Sequence, residues 1–212
     1  MGNGVQYNLI FQNNSSNAWT AAVYQNDPDI GNPDVMSLAW FVKAATPTTT
    51  VQFSWTIDYS FVWSQTGQLI PGVVFTASQQ WAADLSTINQ VTFSQQLNPN
   101  DPLGMMTFNN QTAGPNKGTL YVQQDGTLPL NLASVGIGMS GAGTYAVQAQ
   151  PNILAAFTPT PNYWITFGQF TQGQVLDIEE ITDMAAAVVF PPNVYSMTAT
   201  LDAANLWTVA PT

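Results

Sequence analysis

The chain has 212 residues, only 7% of them charged, and its 12 acidic against 2 basic residues leave a formal net charge of −10. Histidine and cysteine are both absent, which excludes imidazole and thiolate catalysis, disulfides and metals held by those ligands. Two cations cannot neutralise a run of phosphates, so nucleic acid and anionic membrane surfaces are excluded as partners.

The first predicted element spans 5–12, where Val5, Tyr7, Leu9 and Phe11 alternate with polar or smaller neighbours in the period-two pattern of a half-buried strand. A second strand is expected over 19–25. The loop after it, 26–34, gathers Asp27, Asp29 and Asp34 around prolines and a glycine. Such carboxylates suit a hard cation, calcium or magnesium, although the spacing is not that of an EF-hand and the same residues are ordinary turn formers. A third strand is expected over 38–43.

The clearest alternation in the chain follows. Val51, Phe53, Trp55, Ile57, Tyr59, Phe61 and Trp63 occupy every second position, which predicts one long strand over 51–63, bent near its middle. Asp58 is the only charge in that run. It either faces water or sits in a polar pocket where its ionisation matters. Further strands are predicted at 73–78, 90–94, 106–109 and 119–123, with a helix plausible only near Leu85 in this stretch.

Gly136, Gly138 and Gly141 match the spacing of a dinucleotide-binding loop, but that chemistry needs a helix after the glycines. Gly143-Thr-Tyr-Ala-Val-Gln reads instead as a strand, so a glycine-rich hairpin or close strand crossing is the better account, and no nucleotide cofactor is expected. Strands over 144–149, 163–170, 175–179, 187–190, 195–201 and 207–209 complete the pattern, with a helix near 181–187. Were 175–179 extended, Asp177 and Glu179 would share a face roughly 7 Å apart, a spacing permissive for a carboxylate-based glycosidase. Two exposed acids on a sheet edge are the plainer explanation.

Proline and glycine punctuate the chain too often for helices, and no composition break marks a linker. The expectation is a soluble all-β protein: one antiparallel β-sandwich or barrel over 1–212, with about a dozen short strands. No run of about 18 apolar residues predicts a membrane span. The N-terminus shows no signal-peptide pattern, so a cytoplasmic or otherwise secreted location stays open, as does a homo-oligomer.

Several phrases carry a family resemblance: Val23-Tyr-Gln-Asn-Asp-Pro-Asp29, Val35-Met-Ser-Leu-Ala-Trp40, Ile57-Asp-Tyr-Ser-Phe-Val-Trp-Ser-Gln-Thr-Gly67, Ala133-Ser-Val-Gly-Ile-Gly-Met-Ser-Gly141 and Pro191-Pro-Asn-Val-Tyr-Ser-Met197. They resemble the RhiA-type proteins, first known as rhizosphere-expressed bacterial proteins, over nearly the whole chain. That resemblance implies no activity or site residues. A fainter similarity, in size and general character, is to the pink chromoprotein of oyster mushrooms, which holds a small organic pigment.

Seven tryptophans, abundant aromatic side chains and missing catalytic groups point to a non-catalytic protein that binds a small apolar or conjugated organic molecule, such as a pigment. Asp58, Tyr59, Trp63 and Trp40 are the expected polar and aromatic lining. The alternatives are a lectin-like or secreted interaction protein that stacks sugars on an exposed tryptophan, and the glycosidase built on Asp177 and Glu179.

Overall fold

The structure, a computed structural model, describes residues 4–26, 34–98 and 101–212. Strands β1 (Gln6–Asn13) and β2 (Trp19–Gln25) found two facing sheets. After the two-residue β3 (Met36–Ser37), β4 (Phe41–Ala45) pairs with β2 and β5 (Thr50–Thr56) pairs with β1. The middle of the chain builds a second pair of sheets from β6 (Tyr59–Ser64), β7 (Gln79–Ala83), β8 (Gln90–Asn98), β9 (Asp101–Thr112) and β10 (Leu120–Gln124). It continues with β11 (Ser134–Met139), β12 (Ala142–Gln148) and β13 (Leu154–Phe157). The chain then returns to the first pair with β14 (Tyr163–Gly168), the short helix α1 (Ile178–Ile181), β15 (Ala185–Val188), β16 (Ser196–Leu201) and β17 (Trp207–Pro211).

The fold is mostly β, and among the described residues its seventeen strands form four sheets, none closed into a barrel. Their orders are β17-β16-β1-β5, β15-β14-β2-β4, β3-β12-β11-β6-β7 and β13-β10-β8-β9. Most pairs are antiparallel. Two are parallel, β1 with β16 and β8 with β10, where strands far apart in sequence lie side by side.

The first two sheets close over one core, with Leu9, Phe11, Phe53 and Trp55 from one and Val23, Ile165 and Phe167 from the other. The other two close over a second core, in which Phe61, Trp63, Val135 and Ile137 face Val91, Phe93, Leu120 and Val122. Each fully buried large apolar side chain contributes about 2 kcal/mol of transfer free energy, so the alternation itself specifies which face turns inward. The predicted strand over 51–63 divides at Ile57 and Asp58 into β5 and β6, and these lie in different sheets over different cores. Tyr59, at that crossing, packs against both cores.

β6 is buried on both faces. Phe61 and Trp63 enter the second core, whereas Val62 packs on the opposite side with Leu69, Phe75 and Val175. A hairpin joins β11 to β12 through Ser140 and Gly141, both at positive φ (51° and 81°), as a two-residue turn between twisted strands requires. Ideal Cβ atoms at Gly136 and Gly138 would come 2.0 and 2.6 Å from the carbonyl oxygens of Tyr145 and Ala142. Close strand approach thus accounts for both glycines, with a strand where a nucleotide site needs a helix.

Three local expectations are corrected. The segment 175–179 is not a strand: Val175 makes only an isolated bridge with Leu38, and Asp177 is the N-cap of α1, its carboxylate accepting from Glu180 N at 3.2 Å. An Asp cap with two glutamates in the first turn favours a helix start over extension there. Helix near 181–187 gives way to a 3₁₀ turn over Thr182–Met184 and then β15. No helix forms near Leu85, where turn residues lie between β7 and β8. No helix among the described residues is long and apolar enough to cross a membrane.

Candidate functional site

A cleft of about 520 Å³ opens on the edge of the first sandwich. Tyr7 from β1 and Tyr163 and Trp164 from β14 line it, with Val188 at the end of β15, Phe190 just beyond, and Ile57 at the crossing between β5 and β6. Asn26 and Asn162 stand at its rim, held together through backbone: Asn26 N donates to Asn162 O at 3.4 Å. Tyr7 reaches the cleft because β1 places Leu9 and Phe11 on the same strand face, inside the core, and Tyr7 where that face emerges.

Phe190 organises the aromatic floor. It lies edge-on to Tyr7 (5.0 Å, 85°), to Trp55 (5.8 Å, 89°) and to Tyr163 (5.8 Å, 85°). Edge-to-face contacts match the positive rim of one ring to the negative face of another. Tyr7 stacks on Trp55 (6.3 Å, 12°), and Trp40 stacks on Tyr163 (6.1 Å, 16°) beneath. This makes a wall of conjugated rings with apolar aliphatic edges.

Polar groups are few and differ in state. Among the described residues the Tyr7 hydroxyl and the side-chain amides of Asn26 and Asn162 make no hydrogen bond, so they are available at the mouth. Deeper in, Trp55 Nε1 and the Tyr163 hydroxyl are buried without a well-aligned partner among the described residues. Burial pushes the Tyr163 hydroxyl up to about 12, with the neighbouring Trp55 indole pulling the other way and Tyr59 and Tyr7 adding to the rise. Burial likewise raises Tyr59 above its ordinary value.

The sequence-predicted lining is brought together only in part. Trp40 is wholly buried, its Nε1–H donating to Met139 O at 2.8 Å, and it supports the cleft from below through Tyr163. Tyr59 packs beside the same core. Trp63 lies in the second core, donating to Gln79 Oε1 at 2.9 Å, away from this cleft. Asp58 is exposed and does not line the cleft. Its Oδ1 accepts from Thr56 Oγ1 at 2.9 Å and from Ser140 N at 3.1 Å, tying the sheet crossing to the β11–β12 turn. Asp177 and Glu179 belong to a helix start and share no strand face.

Of the proposed cation ligands, Asp27 and Asp29 lie outside the described residues, and Asp34 is an exposed turn residue. Among the described residues no three acidic side chains gather as a metal site. Tyr7 and Phe190 were not singled out in the sequence. The one signal for Phe190 is an aromatic placed against Pro191-Pro192, where chain stiffness fixes a ring at a strand end.

Fold and cleft together define a mostly β protein of paired, face-packed sheets with an aromatic-floored surface cleft. No solved structure matches it significantly. The family model named RhiA matches residues 4–212, and this chain belongs to the RhiA family. The protein RhiA of Rhizobium leguminosarum bv. viciae is 41% identical over 215 residues, an alignment that takes in 100% of this chain and 89% of that protein.

Proposed function

We propose that this chain is a non-catalytic binding protein for a small, largely apolar or conjugated organic molecule, a pigment being one such ligand, seated in the Tyr7–Phe190 cleft. The supporting observation is the cleft itself: about 520 Å³, floored by mutually packed aromatic rings, with three neutral hydrogen-bonding groups at its mouth. A planar molecule gains apolar contact on the rings and orientation from the Tyr7 hydroxyl and the Asn26 and Asn162 amides, the usual division of labour in a ligand pocket. No Asp, Glu, Lys or Arg lines the cleft, which favours an uncharged ligand.

The test is a visible absorption spectrum and a native mass of the protein purified from cells that naturally make it. Absorption beyond the tryptophan band together with mass in excess of the polypeptide supports the proposal. A colourless protein at the polypeptide mass overturns it.

A further inference from the structure

A second cleft, about 290 Å³, lies at the other end of the first sandwich and differs in kind from the aromatic-floored one. Trp19, at the start of β2, is 40% exposed there, its indole resting on Phe167 at 5.7 Å. Trp207, at the start of β17, lines the same cleft and is fixed in place, its Nε1–H donating to Met184 O at 3.1 Å and its ring lying 5.5 Å from Phe11. Two indoles from strands in different sheets therefore border one small space, and one of them is held by a hydrogen bond while the other shows its surface to solvent.

The rim is polar. Asn17 Nδ2 donates to Asn205 Oδ1 at 3.4 Å, which leaves the Asn17 amide oxygen and the Asn205 amide nitrogen without partners among the described residues. Asp183 adds an exposed carboxylate that accepts no hydrogen bond among the described residues. An indole face beside an acceptor amide, a donor amide and a carboxylate is complementary to a molecule with one apolar face and several hydroxyls around its edge. A pyranose ring is such a molecule: its axial C–H bonds cover the indole, and its hydroxyls serve as donors and acceptors together.

Size and charge narrow the choice. A space of about 290 Å³ sits at the small end for ligand pockets, enough for a single sugar ring and too small for a long segment of chain. Asp183 at the rim and the net charge of −10 oppose acidic sugars. We propose that the Trp19–Trp207 cleft binds the terminal residue of a neutral glycan as a single pyranose, with Trp19 as the stacking platform and Asp183 and Asn17 accepting from vicinal hydroxyls. This site is separate from the Tyr7–Phe190 cleft and does not depend on its ligand.

The experiment is a protein-observed NMR titration of the full chain with methyl glycosides of neutral hexoses and N-acetylhexosamines, up to about 50 mM, because one ring of this size binds with a Kd on the order of 1 mM. The Trp19 indole N–H signal, assigned by its loss in Trp19→Phe, reports the site. The expected result is saturable movement of that signal with at least one glycoside, and an affinity weakened about tenfold in Trp19→Ala, where the indole N–H of Trp207 in the same cleft reports the site instead. Asp183→Asn, an exposed change that leaves the fold intact, weakens the same titration. Absence of saturable shifts with every glycoside overturns the proposal, as does binding unaltered in both Trp19→Ala and Asp183→Asn.

Discussion

Phe190 meets Tyr7 edge-on, with ring centroids 5.0 Å apart and planes at 85°, and the same ring touches Trp55 and Tyr163 in the same manner. One half-buried side chain thus makes three aromatic contacts, two of them, with Tyr7 and Trp55, reaching across to the facing sheet of the first sandwich and one, with Tyr163, staying on its own side. Phe190→Ala removes all three and opens the cleft toward Trp55. The expected cost is about 2 kcal/mol of stability, below the range for a fully buried phenylalanine because part of the ring already faces solvent. Urea denaturation checks it. Any ligand that co-purifies with the wild-type chain is expected at lower occupancy in the variant, while Phe190→Leu, which retains apolar volume, recovers most of the stability.

Gln79 performs a different task. Its Oε1 accepts from Trp63 Nε1 at 2.9 Å, from the backbone N of Phe108 at 2.8 Å and from Thr107 Oγ1 at 3.3 Å, joining β6, β7 and β9 around the second core. Trp63 and Phe108 are 5% and 2% exposed, so removing the acceptor leaves two donors with little access to water. Gln79→Leu is expected to destabilise by about 2–4 kcal/mol, one desolvation penalty for each orphaned donor. Gln79→Glu keeps an acceptor in place and is expected to cost less. A thermal melt of both variants, followed by tryptophan fluorescence, separates them. Equal loss in the two would show that packing, not acceptance, is what Gln79 supplies.

Much of the fold was legible in the residues, and the failures share physical causes. Period-two alternation located β1, β2 and both halves of 51–63, because inward positions there are large and apolar. That β5 and β6 belong to different sheets was not legible, since a strand that changes partners at Ile57 and Asp58 keeps the same alternation. β7 was missed because Gln79-Gln-Trp-Ala-Ala83 has one large apolar residue, and its pairing is set by β6. The glycines of β11 point in the sequence to a hairpin or close strand crossing, although every one of its six residues is buried between neighbours. The parallel pairing of β1 with β16 joins segments nearly a whole chain apart, which no local pattern records. Of the expected site, Trp40 and Tyr59 lie near the cleft because they share its core, whereas Tyr7 and Phe190 are assembled by tertiary packing alone.

Asp58 drew notice as a lone charge between aromatics, and its structural partners explain it without a ligand. The carboxylate anchors the Ser140 backbone N–H, while Ser140 Oγ in turn accepts from Thr56 N at 3.2 Å. Asp58→Ala is expected to cost about 0.5–1 kcal/mol, the value of an exposed hydrogen bond at a turn, and to raise amide exchange at Ser140 and Gly141. Ligand occupancy in the Tyr7–Phe190 cleft is expected to stay unchanged. A loss of occupancy in Asp58→Ala at intact stability would return this carboxylate to the binding site.

Buried phenols tie the stability of the fold to alkaline pH. Burial raises the Tyr24 hydroxyl from 10.0 to about 12, and Tyr163 reaches about 12 for the same leading reason. Above the ordinary value, the unfolded chain has released protons that the folded chain still holds at these two positions, so the folded state binds more protons there. Stability from this source is therefore intact below pH 10 and falls as pH rises from 10 through about 12. Ultraviolet difference absorbance of the native protein is expected to show Tyr24 and Tyr163 ionising only above the ordinary tyrosine value of 10.0, in step with loss of the tryptophan fluorescence of the first core. Tyr163→Phe removes a buried hydroxyl that lacks a well-aligned partner, so the variant is expected to fold normally at neutral pH and to lose stability less steeply above pH 10. An unchanged alkaline slope in Tyr163→Phe would mean that this hydroxyl reaches solvent, and with it the ring that floors the cleft.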